Sequence, residues 1–573
     1  MAVLRSTFLR LALAGAIASL VACGDDSAPA APSGSATGTL SDSPVAGVSY
    51  STSSGLTGTT DAQGRFRYNP GDIVTFRIGS LTLGAVTATG TDATITPLQI
   101  VESTSGLTET EQQNMVTNLL VLLQSLDSDG NAENGISIPA AVGSSLNATV
   151  AGTIDLQAAP ATFAASDTLG DLATTAGGTV VDPEAALEHF RTQFFKDIAG
   201  VYSADLGNNE IIAFRVNVDG SYLMGEVATD DAAGQPGIER GKIEWNPQTG
   251  ELGASNITLD TNGEWGLSDP LAEETLYLSF SNGKLLIKTD YDDPAATDET
   301  LELTRLERGT GIVGPWALNR TDVPAVSLEA QQFLFFANGR YLMLDTIGDE
   351  DANDCGSTGL EYGSYALAGG VLTTSAIIAD TNGCAGLHDS GDYSSFDSVS
   401  IASGTLRTGE EVLLVQALPG ATVYSGEAEV TGTTTGAPVV LTGATLFCTP
   451  PDTQGEISAL KVAFQFDAAA GTFAMSYADE GEAVVLDGTY NPATGALAWQ
   501  ESGGPEVTLV TDDTTFFSEY VIASTATYNA AANTISGTTT DTITNSWTRS
   551  SARVACSAQA GFSLAPFVAV SAR

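Results

Sequence analysis

Short runs in which hydrophobic and polar residues alternate make up most of this sequence. Val74, Phe76 and Ile78 alternate with polar or charged neighbours, which is the two-residue period of a strand with one buried face. From residue 198 onwards, similar runs are separated by clusters of Gly, Asn and Asp, which are typical turn residues. The pattern predicts a mostly β, multidomain chain, with an N-terminal β-sandwich, a short helical connector and three tandem antiparallel β-barrel or sandwich repeats.

The helical period is concentrated between residues 99 and 197. Thr108 and Glu111 have the spacing of a capping box, in which a hydroxyl and a carboxylate satisfy two free backbone amides. The hydrophobic residues that follow fall on one broad helical face: Met115, Val116, Leu119, Leu120, Leu122, Leu123 and Leu126. Core packing is the favoured interpretation of this face, ahead of a ligand groove. A second helix is predicted to begin at Asp182, with Pro183 in its first turn.

The part of the chain after this connector contains an internal repeat. IAGVY at 198–202 is matched by IVGPW at 312–316, and DGSYLM at 219–224 is matched by NGRYLM at 338–343. The matched segments lie about 120 residues apart, so the two units share one plan.

Two further pairs of segments extend the repeat. GIERG at 237–241 is matched by GLEYG at 359–363, and DTNG at 260–263 is matched by DTNG at 380–383. Each unit has short strands joined by turns, which suits a small antiparallel barrel or a sandwich. The Gly-x-aromatic opening of each unit resembles the first strand of lipocalin-type barrels, and a closed barrel leaves no unpaired sheet edge. We therefore favour barrels over sandwiches.

A third, divergent unit completes the series. NPATG at 491–495 matches NPQTG at 246–250, and this pattern supplies the fixed φ of proline followed by a glycine that tolerates positive φ, as a hairpin loop needs. The DTNG segment has no counterpart in this unit. The predicted divisions after the sandwich are the connector at 99–197 and the repeats at 198–310, 311–420 and 421–573.

The N-terminus has the order of an export signal. A basic start precedes an apolar stretch at 11–21 that is too short for an ordinary membrane span. The LVAC sequence at 20–23 resembles a bacterial lipobox, in which the cysteine thiol accepts diacylglycerol before cleavage. The resemblance implies that residues 1–22 are removed and that Cys23 is lipidated. The alternative is an ordinary secretory signal that contains a cysteine by chance.

The residues after Cys23 bear on the destination of the protein. Gly24 follows the cysteine, whereas lipoproteins kept in the inner membrane carry Asp there, so the resemblance implies the outer membrane. Residues 23–38 are rich in Ser, Ala, Pro and Gly and predict a flexible tether. The first expected partner is therefore the membrane itself, through the N-terminal lipid. Whether the protein faces outward or into the periplasm is left open.

Two glycine-containing segments mark residues 39–98. PVAGV at 44–48 and GTTDAQGRF at 58–66 resemble carboxypeptidase regulatory-like, or transthyretin-like, β-sandwich domains. Such domains act as spacers or adhesive units in bacterial surface proteins, and the resemblance implies no catalysis. The segment LLQSLDSDGNAENGI follows this predicted domain at 122–136. The two together, in this order, resemble the N-terminal part of uncharacterised proteobacterial surface lipoproteins.

Four cysteines remain beyond the lipobox, and they are expected to form disulfides. We favour the pairs Cys355–Cys384 and Cys448–Cys556, because each pair falls within one predicted domain. An exported location would oxidise them. The alternative, a metal site with four thiolates, lacks the close Cys-x-x-Cys type of spacing.

The acidic loop after the first long helix is a candidate calcium site. Asp127, Asp129 and Asn131 place oxygen ligands at alternate positions, which suits Ca²⁺. An EF-hand would also need Gly at its sixth position and Glu at its twelfth, where this loop has Ala132 and Ile138. The alternative is an Asx-rich loop that ends the helix.

The two DTNG loops are further candidate calcium sites. Their oxygen ligands would come from Asp260, Asn262 and Asp269 in the first unit and from Asp380, Asn382 and Asp389 in the second. Acidic residues of preceding loops could complete a cage if the loops meet at one end of each barrel. The alternative is that DTNG is ordinary turn chemistry.

Composition excludes several classes of function. The chain has 573 residues, of which 69 are acidic and 21 basic, and its net charge of −48 argues against nucleic acid as a partner, since phosphate binding needs clustered Lys and Arg. With two histidines, His189 and His388, it cannot build a centre that needs several. The motifs of serine hydrolases, zinc proteases and nucleotide-binding folds are absent from the sequence.

These observations favour a non-catalytic, lipid-anchored envelope protein that acts as an adhesin-like binding module or as a structural module, with a protein or a glycan as its surface partner. A lipocalin-like carrier of a small apolar ligand is the first alternative, and a carbohydrate-active hydrolase is the second. No cofactor is expected apart from the candidate Ca²⁺. An apolar cavity inside a domain would favour the carrier, and a solid core with exposed aromatic residues would favour adhesion. A cleft with two carboxylates about 5–10 Å apart would favour hydrolysis.

Overall fold

The computed structural model describes residues 34–568, with gaps at 229–233, 270–273, 292–296, 308–310, 319–327, 348–355, 384–385, 389–394, 403–404, 409–410, 416–421, 436–438, 442–443, 447–455, 468–470, 480–481, 512–513, 530–533 and 548–549. The described residues are mostly β, with the helices gathered between the first sheets and the later ones, so the predicted fold class is confirmed. Among the described helices, none is both long and apolar enough to cross a membrane.

The N-terminal unit consists of two small sheets that face each other. Its strands are β1 (Ala36–Leu40), β2 (Val45–Ala46), β3 (Ser49–Thr52), β4 (Thr57–Thr59), β5 (Arg65–Tyr68), β6 (Asp72–Ile78), β7 (Leu81–Ala88) and β8 (Thr94–Ile95). One sheet has the order β5-β1-β8 and the other β4-β3-β6-β7. Phe66 of the first sheet meets Phe76 of the second edge to face, with ring centroids 5.2 Å apart. Val74, Phe76 and Ile78 are all buried, as their alternation predicts.

The connector contains the seven described α-helices. They are α1 (Pro97–Glu102), α2 (Glu109–Ser125), α3 (Ala140–Ser145), α4 (Ala148–Ala151), α5 (Pro160–Ala164), α6 (Asp167–Ala176) and α7 (Pro183–Ile198). Between α2 and α3 lie a 3-10 turn, Ala132–Asn134, and β9 (Ile136–Ser137), which pairs with β2. The predicted capping box is confirmed: the Thr108 amide donates to Glu111 Oε2 at 2.8 Å, and Thr108 Oγ1 accepts from the Glu111 amide at 3.3 Å.

The first repeat is a closed eight-stranded barrel in which neighbours along the chain are neighbours in the sheet. Its strands are β10 (Gly200–Gly207), β11 (Glu210–Val216), β12 (Ser221–Val227), β13 (Gly237–Trp245), β14 (Glu251–Asp260), β15 (Glu274–Ser281), β16 (Lys284–Tyr291) and β17 (Glu299–Arg305). The barrel closes where Tyr202 of β10 pairs with Arg305 of β17. This closure removes the sheet edges that a sandwich would leave exposed.

The second repeat follows the same plan but stays open in its described part. Its strands are β18 (Gly314–Leu318), β19 (Gln332–Phe335), β20 (Arg340–Asp345), β21 (Gly359–Ala368), β22 (Val371–Asp380), β23 (Ser395–Phe396), β24 (Val399–Ala402), β25 (Thr405–Thr408) and β26 (Glu411–Val415). The sheet runs from β23 through β18 to β24, and β18 pairs with both β19 and β26. The two ends of the sheet, β23 and β24, are therefore consecutive in the chain.

The third unit is a second closed barrel with longer strands. They are β27 (Thr422–Thr435), β28 (Val439–Leu441), β29 (Ala444–Leu446), β30 (Glu456–Asp467), β31 (Thr472–Asp479), β32 (Glu482–Asn491), β33 (Ala496–Thr511), β34 (Thr514–Asn529), β35 (Thr534–Trp547) and β36 (Ser550–Val568). The β28–β29 hairpin stands apart from the barrel, which runs β27-β30-β31-β32-β33-β34-β35-β36. Gly250 and Gly495, which close the two matched Asn-Pro-x-Thr-Gly turns, have φ of 77° and 70°, as the turn prediction requires.

The sandwich, the connector and the first barrel share one continuous hydrophobic core. The ring of Phe194 from α7 stacks on Trp245 of β13, with centroids 3.8 Å apart and an angle of 8° between the planes. Arg191 Nε also donates to the Trp245 carbonyl at 3.3 Å. The connector therefore covers one end of the first barrel and fixes the barrel to the N-terminal unit.

Candidate functional site

The predicted lipidation and disulfide sites lie largely outside the described residues. Cys23, Cys355, Cys384 and Cys448 fall in the segments without a description. Cys556 belongs to β36, where its backbone pairs with Ile543 of β35. The lipid anchor and both disulfide pairings thus stay predictions.

The acidic loop after α2 is held together by its own carboxylates. Asp127 is buried, and its Oδ1 and Oδ2 accept from the amides of Ser137 and Asn131 at 2.8 and 2.9 Å. Asp129 accepts from the Asn131 amide at 2.9 Å and from Asn134 Nδ2 at 3.0 Å. Burial, opposed by the Ser137 hydrogen bond, is the main reason that the pKa of Asp127 is raised. These contacts fold the loop through Asx-type turns, and its occupation by Ca²⁺ stays a prediction.

The first DTNG loop turns its asparagine inward and its aspartates outward. Asn262 is fully buried, and its Nδ2 donates to the Trp265 carbonyl at 3.0 Å. Thr261 Oγ1 accepts from the Ile238 amide at 2.8 Å. Asp260 and Asp269 are exposed. The three predicted calcium ligands of this loop therefore do not share one environment.

The second DTNG loop repeats this arrangement. Asn382 is buried, Asp380 is exposed, and Thr381 Oγ1 accepts from the Leu360 amide at 2.9 Å. Asp389 lies outside the described residues, as do the acidic runs 230–231 and 349–351 that were expected to complete a cage. In the part of the chain that the structure describes, no group of three or more His, Cys, Asp or Glu residues is placed to hold a metal ion.

Each DTNG loop is followed by a turn that contacts a buried glutamate inside the same unit. In the first barrel, the fully buried Glu239 accepts hydrogen bonds from the Tyr222 hydroxyl, from the amides of Leu267 and Ser268 at 3.1 and 3.2 Å, and from Ser268 Oγ at 2.5 Å. Four donors thus compensate the burial of one carboxylate. The segment that follows Asn262 is thereby tied to the inside of the barrel.

The equivalent glutamate of the second unit, Glu361, makes the same type of contacts. It accepts from Tyr341 Oη at 2.5 Å and from the amides of Leu387 and His388 at 3.0 and 3.2 Å. Burial is the main reason that its pKa is raised. Leu267 and Leu387 are both buried in the cores of their units. Each loop therefore places one buried leucine and one carboxylate-bound turn against the interior of its own unit.

The interior of the first barrel is filled with side chains. Residues that point inward are exposed by no more than 8%, and they include Tyr202, Phe214, Val216, Tyr222, Met224, Ile243, Trp245, Leu278, Leu285, Ile287 and Leu303. One end is covered by the Phe194–Trp245 stack and the other contains Leu267. This filled interior differs from the apolar cavity expected for a carrier. The exposed large hydrophobic side chains among the described residues include no aromatic of the kind expected for adhesion: Ile73, Leu206, Ile257 and Val521.

An open cleft lies outside the barrel, where the sandwich, the connector and the first barrel meet. Its volume is about 840 Å³, within the range of ligand-binding clefts. The sandwich contributes Thr39, Ser41, Ser43, Pro44, Asp92 and Thr94; the connector contributes Glu133, Asn134, Gly135, Gln193, Lys196 and Asp197; and the barrel contributes Phe280, Gly283, Thr304, Arg305 and Glu307. We refer to it as the junction cleft.

Most charged side chains of the junction cleft are paired with other protein groups. Lys196 Nζ lies 2.5 Å from Glu133 Oε2. Asp197 accepts from Ser41 Oγ at 2.9 Å and from Gln193 Nε2 at 2.8 Å. The contact between Ser41 and Asp197 joins the sandwich to the connector, and the other two lie within the connector. The cleft walls are therefore fixed in place before any ligand arrives.

Arg305 of the first barrel is one of the two basic residues that line the junction cleft. Its guanidinium lies over the rings of Tyr202 and Phe280, 5.0 and 5.6 Å from their centroids. It donates to the carbonyls of Ala199 and Asp197 at 3.3 and 3.2 Å and to the Tyr202 hydroxyl at 2.5 Å. The positive charge of Arg305 is thus already engaged by protein groups.

At the wall of the junction cleft, three side chains have the spacing of a nucleophile, a base and an orienting acid. Ser43 Oγ lies 3.1 Å from His189 Nε2, and His189 Nδ1 lies 3.2 Å from Glu133 Oε1. Ser43 is fully buried, however, and the next residue is Pro44, which has no amide to donate to an oxyanion. Acyl transfer needs both an accessible nucleophile and such donors. The arrangement therefore fits a structural link between the sandwich and α7.

A buried aspartate completes this link. Asp42 has no exposed surface, accepts from Gln124 Nε2 at 3.0 Å, and has Oδ1 4.0 Å from His189 Nε2. Burial raises the pKa of Asp42 well above its ordinary value, and the nearby charge of Asp197 adds to the effect. Sequence reasoning missed both Asp42 and the role of His189, because their partners are 82 and 146 residues away in the chain.

Comparisons of this chain with protein families, with curated proteins and with solved structures found no match.

Proposed function

We propose that this protein is a lipid-anchored binding protein of the bacterial outer membrane, without catalytic activity, and that the junction cleft is its binding site. The observation that carries the proposal is the cleft itself, about 840 Å³ in volume and walled by three structural units. Clefts at the meeting point of domains are common ligand sites, because several elements can place polar groups around one ligand. The lipobox-like sequence that ends at Cys23 supports the anchor and the location.

The continuity of the core supports a binding role for this cleft. Because the sandwich, the connector and the first barrel share one core, the residues that wall the cleft are held in fixed relative positions. Fixed walls reduce the entropy lost on binding, so a preformed cleft binds more tightly than one that must assemble. The filled interior of the first barrel supports this role over that of a lipocalin-like carrier.

The test uses the full-length protein purified from the outer-membrane fraction in mild detergent. Intact-mass measurement should show the mass of a diacylated or triacylated N-terminal cysteine, and the Cys23→Ala variant should lose both the lipid and the membrane location. Native mass spectrometry of the same sample reports any ligand retained by the wild-type chain.

Two tryptophan substitutions on β17 assign such a ligand to the cleft. Thr304 lines the cleft, and Thr304→Trp should displace the ligand by filling the space. Thr300 lies on the same strand, is equally exposed and is outside the cleft lining, so Thr300→Trp is the matched control. An unlipidated protein in the soluble fraction would contradict the anchor. A ligand retained equally by both variants would contradict the cleft.

A further inference from the structure

We infer that the junction cleft binds a short, neutral, hydroxyl-rich ligand, of which an oligosaccharide of a few sugar units is the natural example. This inference rests on the proposed binding function and names the class of ligand. It comes from the charge, the polarity and the hydrogen-bonding state of the residues that line the cleft.

The charge of the lining argues against an anionic ligand. Four acidic residues line the cleft, Asp92, Glu133, Asp197 and Glu307, against the two basic residues Lys196 and Arg305. Both bases are engaged by protein groups: Lys196 pairs with Glu133, and Arg305 donates to carbonyls and to the Tyr202 hydroxyl. A phosphate or a carboxylate entering the cleft would find both cations of the lining already engaged by protein groups.

The lining also argues against an apolar ligand. Pro44 and Phe280 are its main apolar side chains, and the guanidinium of Arg305 lies over one face of the Phe280 ring. The lining is divided about evenly between apolar and polar surface, so an apolar ligand would leave much of the polar surface without a partner. A cationic ligand would find Asp92 and Glu307, but both are exposed and solvated, so their attraction would be weak.

Three threonine hydroxyls, contributed by the sandwich and by the first barrel, are among the groups that remain for a ligand. Thr39 and Thr94 are register partners on the neighbouring strands β1 and β8, and both line the cleft from the sandwich side. Thr304 lines it from the barrel side. Within the described residues, no hydrogen bond engages the hydroxyls of these three threonines.

A threonine hydroxyl can both donate and accept, and so can each hydroxyl of a sugar. Three such hydroxyls on two walls can therefore bind a ligand that carries several hydroxyls, whatever the orientation of each one. The volume of about 840 Å³ accommodates a ligand of a few rings. Water competes for every one of these hydrogen bonds, so the expected affinity is in the micromolar-to-millimolar range.

The experiment is binding of the full-length protein, purified in mild detergent, to an array of neutral, anionic and cationic oligosaccharides, followed by calorimetric titration with the best neutral trisaccharide found. The wild type should bind a subset of the neutral glycans. Thr39→Val, Thr94→Val and Thr304→Val each remove one hydroxyl and keep the shape and the β propensity of the side chain. Each should weaken binding about three- to tenfold.

Thr300→Val, on the same strand as Thr304 and outside the lining, should leave the affinity unchanged. Circular dichroism and thermal melting of all four variants confirm that they fold. Selective binding of acidic or basic glycans would overturn the inference, as would no binding to any neutral glycan or binding insensitive to the three cleft variants. If native mass spectrometry still shows a retained ligand lost in Thr304→Trp, the cleft remains a binding site and only the class of ligand is wrong.

Discussion

The carboxylate of Glu239 and the hydroxyl of Tyr222 form a hydrogen bond that is fully buried inside the first barrel. Glu361 and Tyr341 form the same pair in the second unit. In both cases the carboxylate also accepts backbone amides from the loop that follows DTNG. Both repeats therefore contain the same glutamate–tyrosine pair, and in both the glutamate ties a surface loop to the core.

Replacement of Glu239 by glutamine should loosen this loop. The amide of Gln keeps one acceptor oxygen and presents an NH₂ group, so two of the four donors around it lose their partner. Leaving buried donors unsatisfied should reduce the stability of the barrel by about 2–4 kcal/mol. Hydrogen exchange measured by mass spectrometry should show faster exchange of the amides of Leu267 and Ser268.

Glu244→Gln is the matched control, because Glu244 lies on the same strand and is exposed. It should change stability by less than about 0.5 kcal/mol. Unchanged exchange at Leu267 and Ser268 in Glu239→Gln would show that the carboxylate does not hold the loop.

Gly266, which lets the loop approach Glu239 closely, should be equally sensitive to substitution. Gly266 has φ of 105°, and a Cβ placed there would lie 2.5 Å from Glu239 Oε2. Gly266→Ala therefore combines backbone strain with a clash against a buried carboxylate, and we expect a loss of about 3 kcal/mol or more. Gly283→Ala is the control, because Gly283 also has positive φ, 71°, but nothing lies within 4 Å of its Cβ position.

Urea denaturation monitored by tryptophan fluorescence compares the two glycine variants. Gly283→Ala should lower the free energy of unfolding by about 1 kcal/mol, because it adds backbone strain without a clash. The difference between the variants measures the cost of the clash. Equal losses in both variants would mean that the loop moves away from Glu239 without penalty.

Much of the fold could be predicted from the sequence, because the signals are local. The alternation of Val74, Phe76 and Ile78 depends on residues two positions apart, and the capping box joins Thr108 to Glu111 within one turn. The repeat was visible because both copies retain the same turns. The sequence also indicated that Glu239 is buried. Glu239 lies at an even number of positions from Ile243 and Trp245 on β13, so it points to the same inner face.

The candidate site could not be predicted in the same way. The junction cleft is formed by residues from Thr39 to Glu307, and no local pattern shows that β1, α7 and β17 meet. His189 illustrates the problem, because Ser43 and Glu133, its partners, come from two separate parts of the chain. The DTNG loops show the reverse. Their oxygen-rich sequence suggested a cation site, whereas both asparagines are buried and the side chain of Asn262 donates to a carbonyl of its own loop.

The stack between Phe194 and Trp245 should couple the connector to the first barrel. Phe194→Ala removes the ring that lies 3.8 Å from Trp245 and leaves a cavity under α7, with an expected loss of about 3–5 kcal/mol. Hydrogen exchange of the peptides from α7 should accelerate more than that of the peptides from β11 and β12. Leu206→Ala is the control, because Leu206 is 46% exposed. Equal acceleration of helix and barrel would mean that the two unfold as one unit even without the stack.

The stability of the first barrel should fall as the pH rises through the mildly acidic range. Glu226 is half-buried and points inward on the same face as Tyr222 and Met224. Burial, together with the negative charge of Glu239, raises the pKa of Glu226 to about 7 from its ordinary value of 4.5. Between these values the folded state holds a proton that the unfolded state has released, so the stabilisation is complete below pH 4.5 and is lost as the pH rises through about 7.

Glu226→Gln should remove this dependence, because an amide stays neutral throughout. We expect the melting temperature of the wild type to decrease between about pH 5 and pH 7 and the slope of the variant to be smaller there. Glu244→Gln, on the neighbouring strand and exposed, should retain the slope of the wild type. Carboxylates whose pKa is lowered, such as Asp61 beside Arg65, act in the opposite sense and at lower pH. A melting temperature that rises steadily from pH 5 to pH 7 would therefore show that Glu226 is charged in the folded barrel.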